Sequence, residues 1–269
     1  MNAAPVINLP VPSFGAFLSK PRDVKLPKSI LLYGLPGSWK TSIAASIIKV
    51  PKFKRVLFID VDNGSEVLAQ DEAFEDIDIL HVPALEDNAF AKLNAVIDEV
   101  CKSDLGYDAV VLDTLDVAQD IAEKHFKAKH EGNKNTFAIY GELGQWTDEI
   151  VRKLHDSNKF TAIITAHAKE QTSESGAYRI IPRLSGSSKD TIGGIPSIVA
   201  YLSFMENPES GKRHNIAVVG ESDKTVTKNR YGLPQSIIDL TLPKLYGMIE
   251  ELTTAKTPIP TTTPVAAAA

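Results

Sequence analysis

Gly34-Leu35-Pro36-Gly37-Ser38-Trp39-Lys40-Thr41 follows the apolar run Ser29 to Tyr33 and leads into Ser42-Ile43-Ala44, so a strand, a tight loop and a helix start succeed one another. In such a loop the backbone N–H groups converge on phosphate oxygens, the Lys reaches the β- and γ-phosphates, and the Thr hydroxyl ligates Mg²⁺. Gly34 to Thr41 therefore reads as a nucleotide cradle, with Lys40 as the phosphate-neutralising group. A second apolar run, Tyr107 to Leu112, ends in Asp113, an acid suited to orienting a hydrated Mg²⁺ beside Thr41. ATP and Mg²⁺ are the expected cofactors. Attack of water on a phosphate also needs a group to orient or deprotonate that water. Val56 to Glu66 supplies Asp60, Asp62 and Glu66 at one strand end; Asp62 is the preferred base and Glu66 the second, with capping of the following helix as the competing use.

One position departs from the usual loop. Trp39 stands immediately before the Lys, where such loops carry Gly, and its side chain must point away from the phosphates. It shields them, contacts a neighbouring element, or marks a loop that binds nucleotide weakly.

The elements that must hold these groups are legible from periodicity. Ile30–Tyr33, Arg55–Asp60, Ile77–Val82, Ala109–Asp113 and Phe160–Ala166 are short, nearly continuous apolar runs, as strands buried on both faces require. Steps of three and four at Phe90, Leu93, Ile97 and Val100, and at Ile139, Leu143, Trp146, Ile150 and Leu154, mark crossover helices. Later runs at Ile198–Met205, Asn215–Val219, Lys224–Lys228 and Ile237–Leu240, joined by turn-forming segments, read as an antiparallel extension. The expected fold is α/β, a mostly parallel doubly wound sheet with that extension over residues 28–252. It is preceded by a Pro-rich extended arm (1–27) and followed by a disordered tail (253–269) of low apolar content.

In this order the motifs resemble the RecA core over residues 28 to about 242, and more specifically the phage-encoded RecA-like ATPases that include single-strand annealing proteins. FIDVDNGSE is similar to the strand carrying that family's catalytic acid, with Asp62 at the position of its Glu, and YDAVVLDT to its Walker B strand. The strand Phe160 to His167 looks like the one whose last polar side chain senses the γ-phosphate, which places His167 in that role although RecA has Gln there. Thr225 to Tyr231 resembles the late strand whose two basic residues, here Lys228 and Arg230, reach the ATP of the next subunit. The resemblance puts DNA contact on a flexible loop from Gln171 to Gly194, with Arg179, Arg183 and Lys189 for phosphates and Tyr178 for base stacking. It also likens Pro12 to Phe17 of the arm to peptides that dock on a neighbouring subunit. The implied partners are single-stranded DNA, further copies in a ring or filament, and a single-strand-binding protein. Two alternatives stay open: a replicative helicase or loader of the same core, and a nucleotide-gated interaction protein with little turnover.

Composition sets the outer bounds. The 269 residues are 43% hydrophobic, and 29 Lys+Arg against 34 Asp+Glu give a net charge of −5, so a blanket DNA-coating surface is excluded. The charge is uneven: +8 over residues 20–55, −16 over 60–123 and +2 over 166–235. Apart from Asp62 and Asp113, the acidic stretch is expected to face water. No apolar run reaches the ~18 residues of a membrane span, and Lys20 is the first cation, so a cytoplasmic protein is expected, in the host cytoplasm if phage-encoded. Cys101, lacking a second cysteine, reads as an inert buried thiol.

Overall fold

The computed structural model describes residues 26–132, 136–172, 176 and 178–254. Its parallel strands are β1 (Ser29–Gly34), β2 (Val56–Asp60), β3 (Ile77–His81), β4 (Ala109–Asp113), β5 (Thr161–Thr172) and β7 (Ile198–Glu206), in the spatial order β7-β1-β5-β4-β2-β3. All side chains of β1, β2 and β4 are buried, as their unbroken apolar runs require when helices cover both faces. β8 (Arg213–Val218) and β10 (Ser236–Ile238) add the antiparallel extension beyond β7.

One face carries α2 (Ala89–Lys102), α3 (Leu115–Lys129) and α4 (Thr136–Asp156), whose Leu93, Ile97, Phe126, Leu143 and Ile150 pack on Leu31, Ile59, Leu112 and Ile164. The other carries α1 (Lys40–Ala45) and α6 (Leu242–Thr254), packed on Ile30, Leu32, Phe58 and Ile163. The alternation along β1 divides its side chains between the two cores, the period of two that a strand imposes.

Several sequence expectations need correction. α3 and α6 were not among the expected helices; α3 mixes Asp116 and Gln119 into its buried stripe, and α6 runs unbroken although it contains Pro243 in its first turn and Gly247. α6 also runs two residues past the expected domain end at 252. The acidic stretch does not simply face water, since Asp60 and Asp116 are as buried as Asp113. Gln171 to Gly194 is not one flexible loop: β5 continues to Thr172, β6 (Tyr178–Pro182) pairs back on it, and α5 (Ser188–Thr191) follows. Buried Gln119 holds that last stretch, donating to Ser188 Oγ at 3.0 Å and accepting from the Ser185 N–H at 2.7 Å. The expected strand Lys224–Lys228 shortens to a bridge at Thr225 and β9 (Lys228–Asn229), with Arg230 in the bend beyond. The arm to residue 25 and the tail from 255, including the Pro12 to Phe17 peptide, lie outside the described residues.

Candidate functional site

The strand order brings the carboxyl ends of β1, β5, β4 and β2 side by side, so loops far apart in sequence meet at one edge. Gly34 closes β1 opposite Leu202 of β7 and His167 of β5. A Cβ on Gly34 would stand 2.5 Å from both the Leu202 carbonyl oxygen and Ser38 Oγ, which is why the residue is Gly. Gly37 turns the loop at φ +77°. Trp39 also adopts the left-handed conformation, φ 62° and ψ 19°, so it keeps the backbone shape Gly would supply and bears the steric cost itself. Its ring turns outward and meets Phe204 of β7 edge-on at 6.4 Å.

Lys40 is buried, with its ammonium donating to the carbonyls of Gly34 and Leu35, both at 3.2 Å. Burial pushes its pKa down, while Asp113, Asp116 and Asp62 pull it back up. The Thr41 hydroxyl donates to Asp113 Oδ2 at 2.9 Å, and Thr165 of β5 donates to the other oxygen. Burial raises the Asp113 pKa against these two hydrogen bonds. Gly64 lies so close that a Cβ there would be 3.2 Å from Asp113 Oδ2 and 3.4 Å from Thr41 Oγ1. The Thr41 hydroxyl and the Asp113 carboxylate are oxygen donors suited to a hard cation; the adjacent Ser38 and Thr114 hydroxyls are buried with no hydrogen-bond partner among the described residues. Among the described residues no cluster of three or more His, Cys, Asp or Glu side chains is placed to hold a metal ion.

The three acids after β2 separate into distinct jobs. Asp60 is fully buried and accepts from the N–H groups of Gly64 and Ser65, both at 3.2 Å, so the capping role falls to it. Asp62 stays partly exposed, with His167 Nε2 at 3.9 Å from its Oδ2. Burial raises its pKa; His167 and Lys40 oppose that, while Asp116 and Asp60 reinforce it. Glu66 is exposed, and no described group pairs with it.

Asp116 is the site residue that sequence reasoning missed. It sits in the first turn of α3, three residues after Asp113, accepts from the His167 backbone N–H (2.9 Å) and from Arg183 Nε (2.8 Å), and lies 2.9 Å from His167 Nδ1. Burial alone would raise its pKa, but these donors hold it well below the usual carboxylate range. An acid one turn into the helix after a metal-side Asp was the available signal. Arg183 stays exposed but is paired, with a second bond to Asp120 at 2.7 Å, rather than standing as the unpaired phosphate contact expected of it.

Tyr178, Arg179 and Lys189 remain accessible on the β5–β6 hairpin and α5. Arg179 and Lys189 line a cleft of about 430 Å³ with Gln171, Asp190, Gly194 and Thr227. Lys228 donates to the Gly194 carbonyl at the edge of that cleft. β9 pairs with Ile198 and Val199, four and three residues before the register of Gly34, so Lys228 and Arg230 lie away from this chain's own phosphate loop.

A family model described as an AAA domain matches residues 26–231. The chain belongs to that family. Its strand order and phosphate loop are those of the RecA-like P-loop NTPase fold, and the AAA domain is accordingly an ATP-binding P-loop domain of the ATPase type. Among solved structures, the RadB recombinase is similar over 79% of this chain and 86% of its own, at 15% identity and a TM-score of 0.45. A prototypical ATPase from the type III secretion system of pathogenic bacteria is 17% identical over 65% of this chain, TM-score 0.40. The assembled ATPase EscN with its central stalk EscO, from enteropathogenic E. coli, is 16% identical over 66%, TM-score 0.42. The AAA domain chain spans 52% and 42% of those two ATPases. No curated protein matches it in sequence. No helix among the described residues is long and apolar enough to cross a membrane.

Proposed function

We propose that the protein hydrolyses ATP at this edge and uses it on single-stranded DNA, as a strand-annealing or recombination ATPase of the phage type that assembles with further copies of itself. The observation that carries the reading is the Lys40, Thr41 and Asp113 constellation, with Thr41 Oγ1 and Asp113 Oδ2 2.9 Å apart beside a buried ammonium. Lys40 and the loop N–H groups bind and orient the triphosphate, and little covalent chemistry is then left to the protein. Mg²⁺ held by Thr41 and Asp113 would neutralise charge on the β- and γ-oxygens. Asp62, partly exposed at the mouth, orients the attacking water; Glu66 is less suited, having no described partner to fix it.

Lys228 and Arg230 are assigned to the triphosphate of a neighbouring copy. Their distance from the chain's own loop favours that assignment over a role within one subunit. Tyr178, Arg179 and Lys189 are assigned to the DNA, the cations contacting phosphates and the exposed phenol ring stacking on a base. A single-strand-binding protein belongs to this reading as a partner that presents the strand.

One observation favours a slower, gate-like variant of the same reading: Trp39 holds a left-handed backbone that Gly would adopt without strain. The deciding experiment is the ATPase rate with and without single-stranded DNA across protein concentration. Stimulation by DNA and a greater than linear rise with protein support the proposal; nucleotide binding unchanged by Lys40→Ala overturns it. DNA-stimulated turnover accompanied by unwinding of a forked duplex would indicate a helicase instead.

A further inference from the structure

His167 occupies the position at which a γ-phosphate sensor is expected, and a sensor must donate a hydrogen bond. The geometry around it points elsewhere. Asp116 Oδ1 accepts the His167 backbone N–H at 2.9 Å, and Oδ2 accepts Arg183 Nε at 2.8 Å. The same Oδ2 lies 2.9 Å from His167 Nδ1. A carboxylate already taking two donors is an acceptor only, so the proton must sit on Nδ1. In the neutral ring Nε2 then carries a lone pair, directed toward Asp62 Oδ2 at 3.9 Å. Two acceptors at that separation cannot bond each other, but a single water can donate one hydrogen to each.

We infer that Asp116 is a positioning residue that makes His167 Nε2 an acceptor, and that His167 and Asp62 together hold the attacking water by its two hydrogens. The inference rests on the hydrolytic reading above. The water oxygen forms its bond to the γ-phosphorus as the bond from phosphorus to the β–γ bridging oxygen breaks. One water proton passes to the Asp62 carboxylate and later leaves to solvent, and ADP and phosphate are released. Arg183 contributes from behind. Its backbone N–H donates to the His167 carbonyl at 2.7 Å, and its guanidinium joins Asp116 to Asp120, so the carboxylate is held in one orientation by α3 and by the end of β6. Among the charged groups around the ring, Asp116 and Asp62 approach it directly, Arg183 acts through Asp116, and Lys40 is close enough to act on both acids.

Selective ¹⁵N-histidine labelling of the full chain reads the tautomer directly, with His167→Gln identifying the His167 signals among those of the six histidines. The expected wild-type spectrum shows the Nδ1–H form, and Asp116→Asn, whose amide cannot present acceptors on both sides, moves the population toward Nε2–H. In the same variant kcat for ATP falls about 10- to 100-fold with KM changed less than threefold, the scale typical of a lost orienting carboxylate behind a histidine. A protonated Nε2 in the wild type, whether as the Nε2–H tautomer or as the doubly protonated ring, overturns the inference, as does Asp116→Asn with kcat within twofold. If Asp116→Asn does not fold, the wild-type spectrum alone still decides. Should the wild type show no turnover at all, the hydrolytic reading fails, and the tautomer result then distinguishes that failure from a failure of the Asp116 assignment.

Discussion

At the scale of single residues, Trp39 and Asp62 carry the sharpest expectations. Trp39 sits at φ 62°, where a side chain costs about 1–2 kcal/mol relative to Gly. Trp39→Gly loses the edge contact with Phe204 but relieves that cost, whereas Trp39→Ala loses the contact and keeps it. The alanine variant should therefore be the less stable of the two by about 1 kcal/mol in denaturant titration. For Asp62, burial raises the pKa, so its carboxylate protonates at a higher pH than an ordinary Asp. If it orients the water, turnover falls on the acid side at that higher pH, and Asp62→Asn shows low activity without this limb. Stability runs the other way. A folded-state pKa above the unfolded value makes the ionised form a cost above both values, a cost relieved as pH falls, so the Asn variant should be at least as stable as the wild type near neutrality.

At the scale of elements, the close approach of the Gly64 segment to α1 and β4 makes a separable test. Gly64→Ala introduces a methyl 3.2 Å from Asp113 Oδ2 and 3.4 Å from Thr41 Oγ1, contacts that a small shift of either side chain can relieve. The Mg²⁺ requirement for nucleotide binding should rise about tenfold, with Tm lowered by only a few degrees, about 1 kcal/mol in a domain of this size. Gly34→Ala makes the contrast. Its methyl would meet the Leu202 carbonyl at 2.5 Å, a backbone atom that cannot rotate away, and it should destabilise the whole fold in calorimetry. The segment from β6 to α5 answers a different question, because Arg179 and Lys189 face a cleft while Arg183 is engaged by Asp116 and Asp120. Removing either of the first two should lower the salt slope of single-stranded DNA binding by about 0.7, and removing Arg183 should change turnover more than that slope.

At the scale of the molecule, a net charge of −5 on 269 residues leaves each copy with few cations for DNA, so affinity is expected to come from assembly on one strand. Lys228 and Arg230 belong to the same argument. They lie away from the chain's own loop; if they serve a neighbouring copy as proposed, Lys228→Ala should remove the greater than linear rise of ATPase rate with protein concentration while leaving nucleotide binding intact. Titrating a Lys40→Ala chain into a Lys228→Ala chain should restore part of the activity, since each then supplies the group the other lacks.

Much of this was legible in the residues themselves, for a local reason. The phosphate loop, Asp113 and the parallel strands are set by short stretches in which residue type, spacing and apolar continuity dictate the backbone, so Gly34 to Thr41 and Ala109–Asp113 stand where the sequence placed them. What the sequence could not determine was which side chains meet across the sheet edge. Asp116, Arg183 and His167 are separated by 51 and 67 residues along the chain in their hydrogen-bonded pairs, and they converge only because β4 and β5 are neighbours and β6 folds back on β5. Arg183 looks like a loop cation until Asp116 is found buried beneath it. Asp60 and Asp62 look equivalent until backbone N–H groups claim the first and leave the second at the mouth. Local pattern settled the cradle, while tertiary packing, by deciding which polar groups are dry and who satisfies them, decided the roles around it.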